Sequence, residues 1–150
     1  KLAVDQRIQH KPGSLNTEER NVMRSHSFYT YRLLQTIRGF ETINKWASFH
    51  HEKLNGKGYP FHLHSESIPL GSRIMAVADI FTAVTEDRPY RKALSLEKAS
   101  AILSAMVKDG SLCSYVVSLL LENIEMVDEA RRDAQQKAKL KYHYVMKPVQ

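Results

Sequence analysis

Apolar residues along this 150-residue chain recur at intervals of three and four, while the strict alternation that half-buried strands require is scarce. The expected fold class is therefore all-α. Pro12-Gly13 marks a turn, and Asn16 followed by Glu19 makes a capping-box pattern for a helix reaching about Arg24. A second helix is expected to open near Ser27, with Leu33, Leu34 and Ile37 as its apolar stripe, and to stop at Gly39. His26 would then lie at a helix junction. A third helix covers about Glu41 to His51, with Ile43, Trp46, Ala47 and His50 at helical spacing and its histidines at the C-terminal end. From Asn55 to Pro69 the composition turns to Gly, Pro, Ser and His, the longest irregular stretch in the sequence, and loops of that length in compact domains usually carry function.

The segment Ser72 to Thr85 is apolar nearly all round, which predicts a helix buried on every side, with Asp79 in its middle. A carboxylate there must be paired, hydrogen-bonded or metal-bound, because burying it alone costs several kcal/mol. Arg88-Pro89-Tyr90-Arg91 reads as a rigid turn, and Ser95 caps a helix to about Lys108 that Gly110 closes. One long helix is expected from about Ser114. It is apolar from Tyr115 to Leu121 and strongly charged after Asp128, so its second half should leave the core or pack on another chain. Internal repeats and low-complexity segments are absent from the sequence.

Composition narrows the class only a little. A hydrophobic fraction of 43% suits one globular domain, and a lone cysteine, Cys113, excludes an intramolecular disulfide. No stretch approaches the roughly 20 apolar residues of a membrane span and no signal-peptide pattern is visible, so a cytoplasmic location is expected. The segment from Lys1 to His10 reads like protein interior, which makes the chain an expected piece of something longer. The net charge of +6 admits nucleic acid, an anionic membrane surface or a phosphate-bearing small molecule as partner. Basic residues become dense only at Arg131, Arg132, Lys137, Lys139, Lys141 and Lys147. A solvated helix face is the ordinary reading of that tail and a binding surface the alternative, with nucleic acid the less expected partner.

Adjacent histidines on a helix diverge by about 100°, so His50 and His51 would serve two metals more easily than chelate one. With His26 as a third imidazole and Asp79 as the carboxylate, the donor set suits Fe, Mn or Zn. Each residue also has a plain reading: a surface histidine pair, a helix-capping His26, and an Asp79 paired with Arg73 or Arg88.

A resemblance adds to this. His50-His51-Glu52-Lys53-Leu54-Asn55-Gly56-Lys57-Gly58-Tyr59-Pro60 resembles the signature of the HD-GYP family. Arg73-Ile74-Met75-Ala76-Val77-Ala78-Asp79 and Asp87-Arg88-Pro89-Tyr90-Arg91 resemble its downstream blocks, in order. Lys11-Pro12-Gly13, Leu15 and Met23-Arg24-Ser25-His26 are similar to its upstream stretch. The resemblance covers about residues 1–112, implied to be the C-terminal part of an HD-GYP domain, with residues 113–150 left as a long C-terminal helix. It implies an HD-type helical bundle, with its N-terminal helices missing here, and hydrolysis of cyclic di-GMP with two or three Fe or Mn ions by in-line attack at phosphorus. The implied metal ligands are His26, His50, His51 and Asp79. Lys1, Arg88 and Arg91 are the implied substrate-phosphate contacts. The loop at Gly56, Gly58, Tyr59 and Pro60 is the implied surface for a partner such as a diguanylate cyclase domain, or for ligand sensing in a non-catalytic signalling module.

Two departures qualify what is implied. No His-Asp dipeptide occurs in the sequence, so that catalytic pair is not carried over, and Thr82 stands where the family often has a second acid. This chain alone is expected to hold metal weakly or not at all, to turn over no substrate, and to self-associate through the apolar area that absent helices would cover.

Overall fold

The computed structural model describes residues 4–9, 11–87 and 91–145. They form α1 (Gln6–Gln9), α2 (Thr17–Leu34), α3 (Glu41–Phe49), α4 (Leu70–Thr85), α5 (Leu96–Lys108), α6 (Ser114–Glu122) and α7 (Ile124–Val145), with a 3-10 turn at Ser65–Ser67 between α3 and α4. The architecture is all-helical, as the periodicity predicts, and an isolated bridge pairs Asn55 with His64.

The capping box forms: Asn16 Oδ1 accepts from the Glu19 N–H and the Glu19 carboxylate accepts from the Asn16 N–H, each at 2.8 Å. The helix it starts does not stop at Arg24. Ser25 and Thr30 donate their hydroxyls to the carbonyls of Val22 and His26, and the helix runs on through Ser27, where a new one was expected. His26 therefore lies inside α2 rather than at a junction. The helix ends at Leu34, and a short turn carries the chain to Gly39, whose φ of 87° closes it.

Helices α2 to α5 pack in chain order, each against the next. Small and polar residues make the close crossings. Asn44 of α3 donates to the Tyr31 carbonyl of α2, Ser48 donates to Asn44, and Ser72 of α4 donates to the Lys45 carbonyl of α3. Trp46 lies against Gly71 so closely that no side chain fits there. The core between α3, α4 and α5 is built on Phe49, Ile68, Ala76, Val77, Phe81, Ala99 and Leu103. Apolar side chains also remain in solvent on α2 to α4, among them Leu33, Ile43, Trp46 and Ile74, and at Ile37 in the turn between α2 and α3.

Two expectations are corrected. α4 is not buried all round, because Ile74, Met75 and Asp79 face solvent. The last helix is two, separated at Asn123, whose side chain donates to the Leu119 carbonyl. A second compact unit begins at Ser118. On α7, Arg131 and Arg132 both hold Asp128, and Lys137 holds Asp133, so much of the described charge on this helix is internally paired. No helix is long and apolar enough to cross a membrane.

Candidate metal centre

Three histidines meet where α2 passes the end of α3. His26 is buried within α2, and its Nδ1 lies 2.6 Å from the Met23 carbonyl. His50 is the C-cap of α3, with Nδ1 2.8 Å from the Ala47 carbonyl. A carbonyl can only accept, so each Nδ1 carries the proton and each Nε2 is left with the lone pair that a metal requires. His51 follows in the turn. Its ring centroid is 4.0 Å from that of His50 and 5.1 Å from that of His26. One ligand atom from each of the three lies within 4.8 Å of the others.

This corrects the expectation that His50 and His51 point apart. α3 stops at Phe49, so the helical rotation does not extend through His51, and both rings enter one cluster. Asp79 of α4 reaches its margin, with Oδ2 3.9 Å from His51 Nδ1. That is too long for a hydrogen bond. Two ligand atoms bonded at about 2.1 Å to one ion lie up to about 4.2 Å apart, so the separation is one that a shared ion spans. Three imidazoles gathered in this way, with a carboxylate beside them, are the donor types that divalent transition metals take.

Asp79 is not the buried carboxylate that its apolar neighbours imply; its side chain is 51% exposed. Nor does it pair with Arg73, whose guanidinium donates to the Ile68 and Ser65 carbonyls at 2.8 and 2.6 Å. Of the implied phosphate contacts, Lys1 and Arg88 lie outside the described residues. Arg91 donates to the Ala83 carbonyl near the end of α4.

The loop after His51 folds back over the cluster, and a residue to which the sequence assigned no role organises it. Glu52 is buried, and its carboxylate accepts from the N–H groups of Phe61 at 2.6 Å and Leu63 at 3.0 Å. The available signal was an acid directly after a histidine pair, ahead of a long loop whose backbone donors need partners. Phe61 in turn packs on Tyr31 of α2 and Phe49 of α3, at ring separations of 4.9 and 5.6 Å. Gly56 sits at a φ of 74° with the His64 ring against it, and Gly58 is pressed onto the backbone of Glu52 and Lys53. Tyr59, joined to Pro60 by a cis peptide, stacks on His51 at 4.8 Å, and the Arg24 guanidinium lies over the Tyr59 ring at 5.3 Å.

Burial pushes the Tyr59 hydroxyl up to about 12, with Arg24 opposing and Asp79 reinforcing the rise. The folded state thus favours the neutral phenol. That contribution is fully present below the ordinary value of 10.0 and is lost as pH rises through about 12. Tyrosinate absorbance is expected to show a late step near that pH which Tyr59→Phe removes; a titration curve that keeps the step in the variant would assign it to another tyrosine.

The HD domain family model matches residues 5–112. Among characterised proteins, the chain is 41% identical over 123 residues to 3'3'-cGAMP-specific phosphodiesterase 1 of Vibrio cholerae, covering 82% of this chain and 28% of that protein. It is 40% identical over 107 residues to the cyclic di-GMP phosphodiesterase response regulator RpfG of Xanthomonas campestris, covering 70% and 28%. With a cyclic di-GMP phosphodiesterase of Thermotoga maritima it shares 34% identity over 137 residues, covering 89% and 37%. The chain thus spans well under half the length of these relatives. With the matched region running from α1 through Leu112 and holding the histidine cluster and its Gly-Tyr-Pro loop, the chain belongs to the HD domain family, in its HD-GYP branch.

Proposed function

We propose that this chain supplies the histidine side of the metal centre in a phosphodiesterase acting on cyclic dinucleotides, with His26, His50, His51 and Asp79 as metal ligands. The carrying observation is the closure of three imidazoles within 4.8 Å, with two of them oriented by backbone carbonyls. Two or three Fe or Mn ions fit the donor chemistry in the intact protein. A divalent ion held there would neutralise charge building on the phosphoryl oxygens during in-line displacement. The protein's own part is to aim the imidazoles of His26 and His50 through backbone carbonyls, to cover the His51 face with Tyr59, and to leave the Asp79 edge open to solvent for substrate and water.

The relatives' names include both cyclic di-GMP and 3'3'-cGAMP, so the shared chemistry is a phosphodiester within a cyclic dinucleotide. The test is to incubate the intact protein, loaded with Mn2+ or Fe2+, with each dinucleotide and separate the products. Linear dinucleotide is the expected result, and a metal-loaded protein that leaves both substrates intact would overturn the reading. Residues 1–150 alone, which hold no His-Asp pair, are expected to show weak metal occupancy and no turnover.

Thr82, standing where the family often has a second acid, favours a second reading, in which the loop of Gly56, Gly58, Tyr59 and Pro60 serves a non-catalytic module that binds a diguanylate cyclase domain. Binding of such a domain by an intact protein that hydrolyses neither dinucleotide would select it.

A further inference from the structure

A phosphodiester is an anion, and a cation beside the metal would strengthen its binding. The structure narrows where that cation comes from. Lys11 holds the Glu19 carboxylate, Arg73 donates to the Ile68 and Ser65 carbonyls, and Arg91 donates to the Ala83 carbonyl. Arg24 is differently placed. It is exposed, makes no ion pair among the described residues, and is two residues before His26 on α2. Its guanidinium lies 5.3 Å over the Tyr59 ring, which itself stacks on His51.

A cation over a ring face is held by the ring's electrostatics rather than by hydrogen bonds, so that contact spends none of the guanidinium N–H donors, whose fork matches two phosphate oxygens. The ring also narrows the conformations of a long side chain before any ligand arrives, which lowers the entropy lost on binding. We propose that Arg24 is a phosphate-binding residue of the histidine centre, positioned there by the face of Tyr59. This rests on the metal-phosphodiesterase reading above.

The test uses the intact protein and two separate titrations: Mn2+ into the metal-free protein, and inorganic phosphate into the Mn2+-loaded protein. Arg24→Gln is expected to leave the Mn2+ affinity within about twofold and to weaken phosphate by roughly tenfold or more, the size of a lost charge-assisted contact. Arg24→Lys should recover part of that loss, since it keeps the charge and loses the fork. Tyr59→Leu should weaken phosphate severalfold, and Tyr59→Phe, which keeps the ring, should recover most of it. Unchanged phosphate affinity in Arg24→Gln with Mn2+ binding intact overturns the proposal and leaves the metal centre standing. Loss of Mn2+ binding together with phosphate in Arg24→Gln assigns Arg24 a structural role and overturns it too. A parent protein that binds no Mn2+ overturns the metal-centre reading and this inference with it.

Discussion

His50→Ala in the intact protein is expected to weaken Mn2+ binding by more than about 100-fold and to abolish phosphodiester hydrolysis, while the helical circular dichroism stays that of the parent. Changes in the shell around a metal already cost about 10- to 100-fold, and His50 is argued to be a direct ligand. It is the best of the three histidines to remove. His26 is buried inside α2, with the Ser27 hydroxyl 3.3 Å from its Nε2, so its loss would open a cavity and mix packing with chemistry. His51 carries the Tyr59 ring, so its loss would free the loop. His50 instead caps α3, at a position where alanine can keep the same backbone conformation. Isothermal titration with Mn2+ alongside circular dichroism checks the expectation. Parent-like Mn2+ binding in a folded His50→Ala protein would show that the imidazole cluster is not where the metal sits.

Much of this site was legible in the sequence, and what was not has physical causes. Local signals carried well: Asn16 and Glu19 formed the predicted capping box, Ser95 capped α5 by accepting from the Lys98 N–H, and Gly110 closed it at a φ of 74°. Each depends on residues within a few positions of one another. Ser27 misled because a small polar residue that can open a helix can equally be buried within one, and only the packing of α2 on α3 decides which. Asp79 misled in the opposite way. Apolar neighbours implied burial on every side, but α4 is covered by α3 and α5 and leaves the Asp79 side to solvent. The premise that Asp79 is a buried carboxylate in need of a partner therefore falls, and the residue's place in the proposal rests on its approach to His51. Glu52 and Arg24 could not have been assigned from spacing. One acts on backbone N–H groups nine and eleven residues away, and the other on a ring 35 positions along the chain.

Gly58→Ala is expected to cost about 2–4 kcal/mol of stability and to disturb the metal centre although it touches no candidate ligand. The cause is space rather than backbone torsion. A Cβ at Gly58 would lie under 3.0 Å from Lys53 N and from Glu52 Cα and C, all backbone atoms that cannot rotate away. The loop would have to lift from the segment that follows His51. Lifting it breaks the Tyr59 N–H bond to the His51 carbonyl, now 3.2 Å, and pulls Phe61 and Leu63 from the Glu52 carboxylate. Glu52 is 4% exposed, so losing these donors leaves a buried polar group unsatisfied, which is where most of the cost arises. Tyr59 moves with the same backbone, so the ring that stacks on His51 and lies beneath Arg24 is displaced as well. Lys57→Ala is the matched control, because Lys57 is exposed in the same loop and its side chain meets none of these atoms in the described contacts. Thermal melts should place Gly58→Ala about 10 °C below the parent and Lys57→Ala within about 2 °C of it. Phosphate affinity of the Mn2+-loaded Gly58→Ala protein should fall further than its Mn2+ affinity, since the histidines stay on α2 and at the end of α3 while the Tyr59 platform moves. A Gly58→Ala protein that melts with the parent would mean the loop can yield without releasing Glu52, and the clamp between that carboxylate and the loop would lose its claim to hold the site together.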